Sequence, residues 1–223
     1  MFEADPLAVA EARERLSRYD FRWLLGAAGA GKSTVARILA GRYGLEHIDL
    51  DAHIYGDWHD RFTAERHPAN HQWTSAPNSL AWLLAMTWPD YDRFQRAALF
   101  EYLDLLDQDL EHAQAGRFLL DGGIYHPALL AEVLPAERVV CLARPPRPAR
   151  EVWEGSEERR AMRDFMRELS DPDAAWARFL DLDEHIALTV AEEAALAGTT
   201  LLERASHETV ETTVAAVARA FDL

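Results

Sequence analysis

The hydrophobic residues of this chain fall into five short runs that are separated by longer amphipathic stretches. The runs read FRWLL (residues 21–25), LEHIDLD (45–51), RFLLDGG (117–123), ERVVCLA (137–143) and TTLLERA (199–205). Short apolar runs bounded by turn-forming or charged residues are typical of buried strands. Strands that alternate with helices predict an α/β fold, with a five-stranded parallel sheet covered by helices on both faces. Polar residues at the carboxyl ends of these strands are then the first candidates for a functional site.

The stretches between the strands show helical periodicity. Residues 32–44 place their apolar positions on one face, and Gly44 is a typical helix stop. Residues 208–221 predict a closing amphipathic helix. The chain opens with a predicted helix in which Asp5 is the N-cap and Pro6 the first helical residue.

Two long segments interrupt this alternation. Residues 52–116 are rich in Trp, His and Tyr and end in a predicted long helix from about Asp90 to Gln114. Residues 144–170 are dense in arginine. At 223 residues the chain is long enough for one domain with such elaborations, so we expect a single domain over residues 1–223.

Residues 26–34, GAAGAGKST, follow the first predicted strand and open the first predicted helix after it. They match the pattern G-x-x-x-x-G-K-[ST], whereas Ala28 and Thr34 exclude the dinucleotide fingerprint G-x-G-x-x-G. Glycines let backbone N–H groups form a nest for an anion, and the helix N-terminus adds positive charge. Lys32 is the only lysine of the chain, which suggests that a guanidinium cannot replace its compact ammonium. The nucleotide-binding residues predicted here are Gly26, Gly29, Ala30, Gly31, Lys32, Ser33 and Thr34.

Composition narrows the possible partners. The net charge of −15 argues against broad binding of nucleic acids or acidic membranes, and no uninterrupted apolar run approaches the length of a membrane span. The beginning of the chain is acidic and helical, unlike a signal peptide. Cys141 is the only cysteine, so no internal disulfide can form, and we expect a cytoplasmic protein in which Cys141 is a buried strand residue.

Four short segments resemble the small P-loop kinases that act on nucleosides, nucleotides, shikimate and gluconate. They are the glycine loop, HIDLDAHIY (residues 47–55), LLDGGIYH (119–126) and RRAMRD (159–164), the last of which is similar to the arginine lid helix of uridine kinases. The resemblance implies a three-layer P-loop NTPase fold with ATP and Mg²⁺ as cofactors. It also implies that residues 144–170 form a lid. Residues 52–116 match no pattern of this group, and we predict that they form an aromatic-rich, helical acceptor-binding insert.

The resemblance assigns roles to the polar residues at the strand ends. Asp51 stands where this group carries a carboxylate that accepts the proton of the acceptor hydroxyl. A purely structural reading is that Asp51 caps the next helix. The predicted metal-binding residues are Ser33, Asp49 and Asp121. The predicted substrate-binding residues are Asp51, Arg61, Gly122 and Gly123.

Arginines and the last strand complete the predicted nucleotide site. Arg160 and Arg163 are predicted to stabilise the transferred phosphoryl group together with Lys32, and Arg159 to bind the nucleotide. The alternative is a solvated helix face, since glutamates adjoin this cluster. His207, after the fifth strand, is predicted to lie near the base of the nucleotide.

The sequence does not identify the chemical class of the acceptor. Aromatic residues of the insert could stack on a ring, whereas Arg61 and Arg66 could bind an anionic group. A zinc site at His59, His67 and His71 is disfavoured. Pro68 interrupts the helical spacing of His67 and His71, and no glutamate follows His67.

The sequence thus predicts a kinase that transfers the γ-phosphoryl group of ATP to a hydroxyl of a small metabolite, with a nucleoside- or nucleotide-like acceptor favoured over a sugar or an antibiotic. The alternative is an ATP-binding sensor that transfers nothing, because a fold alone does not distinguish the two. The expected partners are ATP and a small-molecule acceptor, without nucleic acid or membrane, and the expected state is a monomer or a homodimer.

Overall fold

A computed structural model describes residues 6–111, 116–155, 157–204 and 208–223, with the side chain of residue 158 excepted. The strands are β1 (Asp20–Leu25), β2 (Glu46–Asp49), β3 (Arg117–Asp121), β4 (Val139–Leu142) and β5 (Thr200–Leu202). They form one five-stranded sheet in the order β2-β3-β1-β4-β5, and every pairing is parallel. The predicted α/β class and parallel sheet are confirmed.

The helices follow the strands in the predicted alternation. They are α1 (Pro6–Leu16), α2 (Lys32–Tyr43), α3 (Leu50–Ile54), α4 (Pro68–Thr74), α5 (Ser79–Leu84), α6 (Trp88–Leu110), α7 (Pro127–Ala131), α8 (Ala149–Glu154), α9 (Glu157–Met166), α10 (Pro172–Ala197) and α11 (Val210–Ala220). The predicted N-cap Asp5 and the predicted helix end Gln114 lie outside the described residues.

Alternate residues of the strands enter two separate apolar clusters, one on each face of the sheet. In β1, Phe21 and Trp23 belong to a cluster completed by α1, α6, α7 and α10, whereas Leu24 belongs to a cluster completed by α2 and α11. In β4, Cys141 joins the first cluster and Val140 the second. Both faces are therefore covered by helices, as predicted, and the strands read as apolar on both sides.

Cys141 is buried, as predicted. Burial raises the pKa of its thiol to about 11, which outweighs the opposing contact with the Thr199 hydroxyl. A thiol with so high a pKa carries little thiolate at neutral pH and is unreactive. The structure therefore supports a packing role for this cysteine.

The insert adds its own aromatic residues to the first cluster and is held to α6 by a buried carboxylate. Trp58 and Trp73 are buried in that cluster. Glu101 of α6 accepts hydrogen bonds from the backbone N–H groups of Ala69 and Asn70, each at 2.8 Å, and from Nδ2 of Asn70 at 2.7 Å. These bonds satisfy the N-terminal donors of α4, so the aromatic insert is packed core and not a loose appendage.

Over the described part of the chain, the model contains no helix with the length and apolarity required to cross a membrane.

Candidate functional site

The glycine loop connects β1 to α2 at the carboxyl edge of the sheet. Gly26, Gly29 and Gly31 have φ angles of 148°, 80° and 92°, which side chains rarely allow. The carbonyl oxygen of Ala27 accepts from the Ala30 N–H at 3.2 Å and from Lys32 Nζ at 3.4 Å. Lys32 therefore folds back over the loop, where its ammonium is available to an anion.

Close packing beneath the loop explains why glycines occupy it. A Cβ at Gly26 would lie 2.5 Å from the carbonyl oxygen of Leu142, and one at Gly29 would lie 2.6 Å from Cγ1 of Val152. The backbone thus lies directly against β4 and α8. At its far end Gly31 is the N-cap of α2 and supplies no side chain to the first-turn N–H groups. Those donors can serve a bound anion.

Asp49 and Asp51 mark the transition from β2 to α3. The predicted strand over residues 45–51 extends two residues too far at its carboxyl end, because Asp49 ends β2 and caps α3 by accepting from the Ala52 N–H at 3.3 Å. Asp51 lies in the first turn of α3 and accepts from the Gly123 N–H at 2.8 Å. The carboxylate of Asp51 therefore ties the end of β2 to the turn that follows β3.

The surroundings of Asp51 oppose its ionisation. Solvent reaches the side chain, but protein atoms crowd it on its other sides, as on the wall of a cleft. This desolvation raises the pKa of Asp51, and the charges of Asp49 and Asp121 act in the same direction. Lys32 and the Gly123 N–H stabilise the carboxylate and partly offset the rise. Lys32 and Asp51 are thus close enough to interact electrostatically at the same edge of the sheet.

Asp121 ends β3 and is fully buried. It lies beside Asp49 in the parallel register, and its Oδ1 is 2.6 Å from Nε2 of His47. Its Oδ2 has no hydrogen-bond partner among the described residues. A buried carboxylate oxygen without a partner is costly unless water or a cation satisfies it. Oxygen donors of this kind suit Mg²⁺, so the residues present fit the predicted metal.

The turn after β3 packs closely against Asp51 and α3. Gly122 and Gly123 have φ angles of 80° and 67°. A Cβ at Gly122 would lie 2.6 Å from Asp51 Oδ2, and one at Gly123 would lie 2.6 Å from Cδ1 of Ile54. These glycines allow α3 to approach β3, which is a structural role. Their predicted contact with substrate stays a prediction.

Arginines line a cavity of about 140 Å³ beside the glycine loop. Its lining consists of Gly29, Arg144, Pro145, Arg147, Glu151, Val152, Gly155 and Arg159. Arg159, a predicted nucleotide-binding residue, donates to the Val152 carbonyl oxygen at 3.3 Å at this place. Arg144 is bound by Asp183 and Glu184. Arg147, which the sequence analysis did not single out, is a further arginine beside the loop.

The other arginines of α9 contact different groups. Arg160 donates to the Glu154 carbonyl oxygen at 3.1 Å. Arg163 lies 3.6 Å from the Glu154 carboxylate and 5.8 Å from the ring centre of Trp176. Met166 of the same helix is fully buried against Trp176 and Leu180. In this conformation the predicted catalytic pair, Arg160 and Arg163, faces α8 and α10.

One predicted substrate-binding residue, Arg61, lies within the insert and away from the glycine loop. Arg61 forms an ion pair with Asp109 of α6 at 2.7 Å, and the same aspartate accepts from the Trp58 indole at 2.6 Å. Arg61 is thus engaged within the insert. His207 lies outside the described residues, so its predicted contact with the base stays a prediction.

The histidines of the insert have separate partners. His67 is buried and lies 2.9 Å from Asp104, and its Nδ1 accepts from the Thr63 N–H at 3.2 Å. His71 contacts the Phe62 carbonyl oxygen. Among the described residues, the one group with ligand atoms within 4.8 Å of one another is His53, Asp57 and Asp109. Arg61 already neutralises Asp109, which disfavours a cation there.

No protein-family model matches the chain, and no curated protein matches it significantly. The structure by itself defines an α/β protein with a glycine loop, a lysine and three carboxylates at the carboxyl ends of neighbouring strands. An assignment of function therefore depends on the chemistry of these groups.

Proposed function

We propose that this protein is an ATP- and Mg²⁺-dependent kinase that transfers the γ-phosphoryl group to a hydroxyl of a small molecule. The observation that carries the proposal is that the glycine loop with Lys32 follows β1, while Asp51, which accepts from the Gly123 N–H after the adjacent β3, lies at the same edge of the sheet. Phosphoryl transfer to an alcohol requires a cation on the phosphates and a base on the hydroxyl, side by side. A helix cap alone would not require a lysine nearby.

The nucleotide phosphates would lie on the glycine loop, held by its N–H groups, by the N-terminus of α2 and by Lys32. Arg147 and Arg159 line the adjoining cavity and would meet phosphate oxygens from the side of α8 and α9. The Ser33 hydroxyl and Asp121, through water, would hold Mg²⁺, which reduces the negative charge of the phosphates when bound. The buried Oδ2 of Asp121 supports this assignment.

Asp51 would orient the acceptor and take its proton. The acceptor oxygen forms a bond to the γ-phosphorus while its proton passes to the Asp51 carboxylate. The bond from the γ-phosphorus to the β–γ bridging oxygen breaks, and ADP leaves with those electrons. The raised pKa of Asp51 makes its carboxylate a stronger base than an ordinary aspartate.

The test combines ATP binding with ADP release over a panel of nucleosides, sugars and amino alcohols. Asp51→Asn should keep ATP affinity and lose acceptor-dependent ADP release by about 100-fold or more. Asp57→Asn is the matched control, because Asp57 is an exposed carboxylate close to Asp51 in the sequence whose described partner is His53. Unchanged turnover in Asp51→Asn would refute the base assignment.

Two other outcomes have distinct meanings. If calorimetry detects no ATP binding to the unmodified protein, the assignment of the glycine loop is wrong. If ATP binds but none of the acceptors releases ADP, the result favours an ATP-binding sensor over a kinase.

A further inference from the structure

The arginines of the insert are already paired with carboxylates in the part of the chain that the structure describes. Arg61 pairs with Asp109 at 2.7 Å, Arg66 with Asp104 at 2.8 Å, Arg93 with Asp90, and Arg96 with both Asp92 and Glu193. An anionic acceptor group that used one of these arginines would have to separate it from its partner. Leaving that partner unpaired costs free energy, most of all where it is buried.

The pairs nearest the core are the least replaceable. Asp104 is also bound by His67 and Arg15. Burial opposes ionisation of Asp104, but the hydrogen bonds from His67 and Arg66 and the charges of the arginines outweigh it and hold its pKa well below normal. Arg66 therefore belongs to a strongly coupled cluster around Asp104 of α6 and is not available to bind a ligand.

The groups around Asp51 also disfavour an anion. Asp51 accepts from the Gly123 N–H, so its carboxylate lies at the turn after β3, and Asp49 ends the neighbouring β2. Lys32 is assigned to the nucleotide phosphates. A second phosphate group brought to the acceptor side would lie next to the Asp51 carboxylate without a cation of its own, and like charges repel.

An exposed aromatic ring lies one helical turn from Asp51. The Tyr55 N–H donates to the Asp51 carbonyl oxygen at 3.1 Å, and the Tyr55 side chain is 63% exposed. Trp73 contacts Tyr55 edge-on, with ring centres 5.7 Å apart at 90°. Such exposure is unusual for a residue in an otherwise packed aromatic insert, and it leaves ring surface available for stacking.

Two further tyrosines lie close by and carry uncharged hydroxyls. Tyr91 and Tyr125 have nearly parallel rings with centres 6.3 Å apart, and Tyr125 follows the Gly123 turn that binds Asp51. Burial raises the pKa of Tyr91 to about 12 and that of Tyr125 well above its usual range. The Tyr125 hydroxyl is buried and forms a hydrogen bond with the Tyr91 side chain.

We infer that the acceptor is an uncharged hydroxylated molecule with a flat ring, and not a phosphorylated one. The ring stacks on Tyr55, and the reacting hydroxyl meets Asp51. This inference rests on the proposed function and names its substrate class. It resolves the choice between ring and anion that the sequence leaves open.

The experiment uses matched pairs of probes: adenosine with AMP, uridine with UMP, and glycerol with glycerol 3-phosphate. Affinity is measured by calorimetry on the full chain, saturated with a non-hydrolysable ATP analogue and Mg²⁺. At least one nucleoside should bind with a Kd below about 1 mM, in the usual range for enzyme substrates. Its monophosphate should bind at least about tenfold more weakly, and glycerol should bind more weakly than the nucleoside.

Variants identify the stacking surface. Tyr55→Ala should weaken binding of the preferred nucleoside by about 3- to 10-fold, while Tyr55→Phe keeps most of it, since stacking needs the ring and not the hydroxyl. Phe165→Ala is the matched control, because Phe165 is an aromatic side chain of α9 with the same 63% exposure. Phe165→Ala should leave nucleoside affinity unchanged, and all three variants should keep ATP affinity.

The results separate this inference from the proposal on which it rests. If the unmodified protein does not bind ATP, the proposed function itself is wrong. If ATP binds but monophosphates bind as tightly as nucleosides, or Tyr55→Ala has no effect, the acceptor class is wrong and the kinase proposal stands. Failure of every nucleoside to bind the ATP-analogue complex would also overturn the inference.

Discussion

Gly122→Ala should displace Asp51 without touching the glycine loop. Gly122 has a φ of 80°, and a Cβ there would lie 2.6 Å from Oδ2 and 2.8 Å from Cγ of Asp51. Both distances are too short to persist, so either the turn or the carboxylate must move. Gly198 provides the matched control, because its φ is 66° and a Cβ there would meet nothing within 4 Å.

The difference in unfolding free energy between Gly122→Ala and Gly198→Ala measures the contribution of the contact between Gly122 and Asp51. Forcing alanine into a left-handed conformation costs about 1–2 kcal/mol at either position. Moving Asp51 also breaks its bond from the Gly123 N–H, and a charge-assisted bond contributes about 1.5–3 kcal/mol. Because water can reach the released carboxylate, the lower end applies. We expect Gly122→Ala to lose about 2.5–3.5 kcal/mol of unfolding free energy, and Gly198→Ala about 1–2 kcal/mol.

Urea unfolding measures this difference, provided that both variants keep the slope of the unmodified protein. ATP affinity should be unchanged in both, whereas acceptor-dependent ADP release should fall on the order of 100-fold in Gly122→Ala alone, because a base displaced by about 1 Å loses its alignment. Equal stability and equal turnover in the two variants would refute the close approach of α3 to the Gly122 turn.

Three further predictions address nucleotide binding and the base Asp51. Lys32→Ala should weaken ATP binding by about 10- to 100-fold in calorimetry without lowering the melting temperature, because this half-exposed side chain contributes charge and little packing; unchanged affinity would contradict the loop assignment. The pH profile of kcat/KM should show activity above the pKa of Asp51 and loss below it. Since that pKa is raised, the loss should begin at a higher pH than an ordinary aspartate would cause, and the residual activity of Asp51→Asn should lack this acid limb. A non-hydrolysable ATP analogue with Mg²⁺ should slow amide hydrogen exchange across residues 157–166 as Arg159 meets phosphate; exchange that is slow already and does not change would identify a fixed structural helix.

The architecture could be predicted because its signals are local. The central strands β3 and β4 are buried on both faces, so each appears as a short continuous apolar run, and the helices between the runs show their own period. The error at β2 has the same origin. Leu50 continues the apolar run, but it is buried as the first residue of α3, because the Asp49 side chain caps that helix. An apolar run does not reveal where a strand becomes a helix.

The site was only partly predictable, since several of its contacts join segments that are distant in the sequence. Lys32 and Asp51 follow from short motifs beside single strands. His47, the partner of Asp121, was missed, because the two are 74 residues apart and meet only when β2 pairs with β3. Alternation along β2 was the available signal: His47 and Asp49 share a face, and Asp49 borders Asp121 in the register.

Arginine is a poor signal for anion binding in a chain as acidic as this one. Acidic residues outnumber lysine and arginine by 38 to 23, so an arginine usually finds a carboxylate first. The partner can be remote: Arg96 reaches Glu193, which is 97 residues away. An arginine cluster such as the one in α9 therefore does not by itself indicate an anion site. Arg147 and Arg159 are better candidates, because they lie beside the glycine loop. In such a protein we expect anion binding where backbone N–H groups add to the arginines, because N–H donors attract a bound phosphate and carry no charge that a neighbouring carboxylate can neutralise.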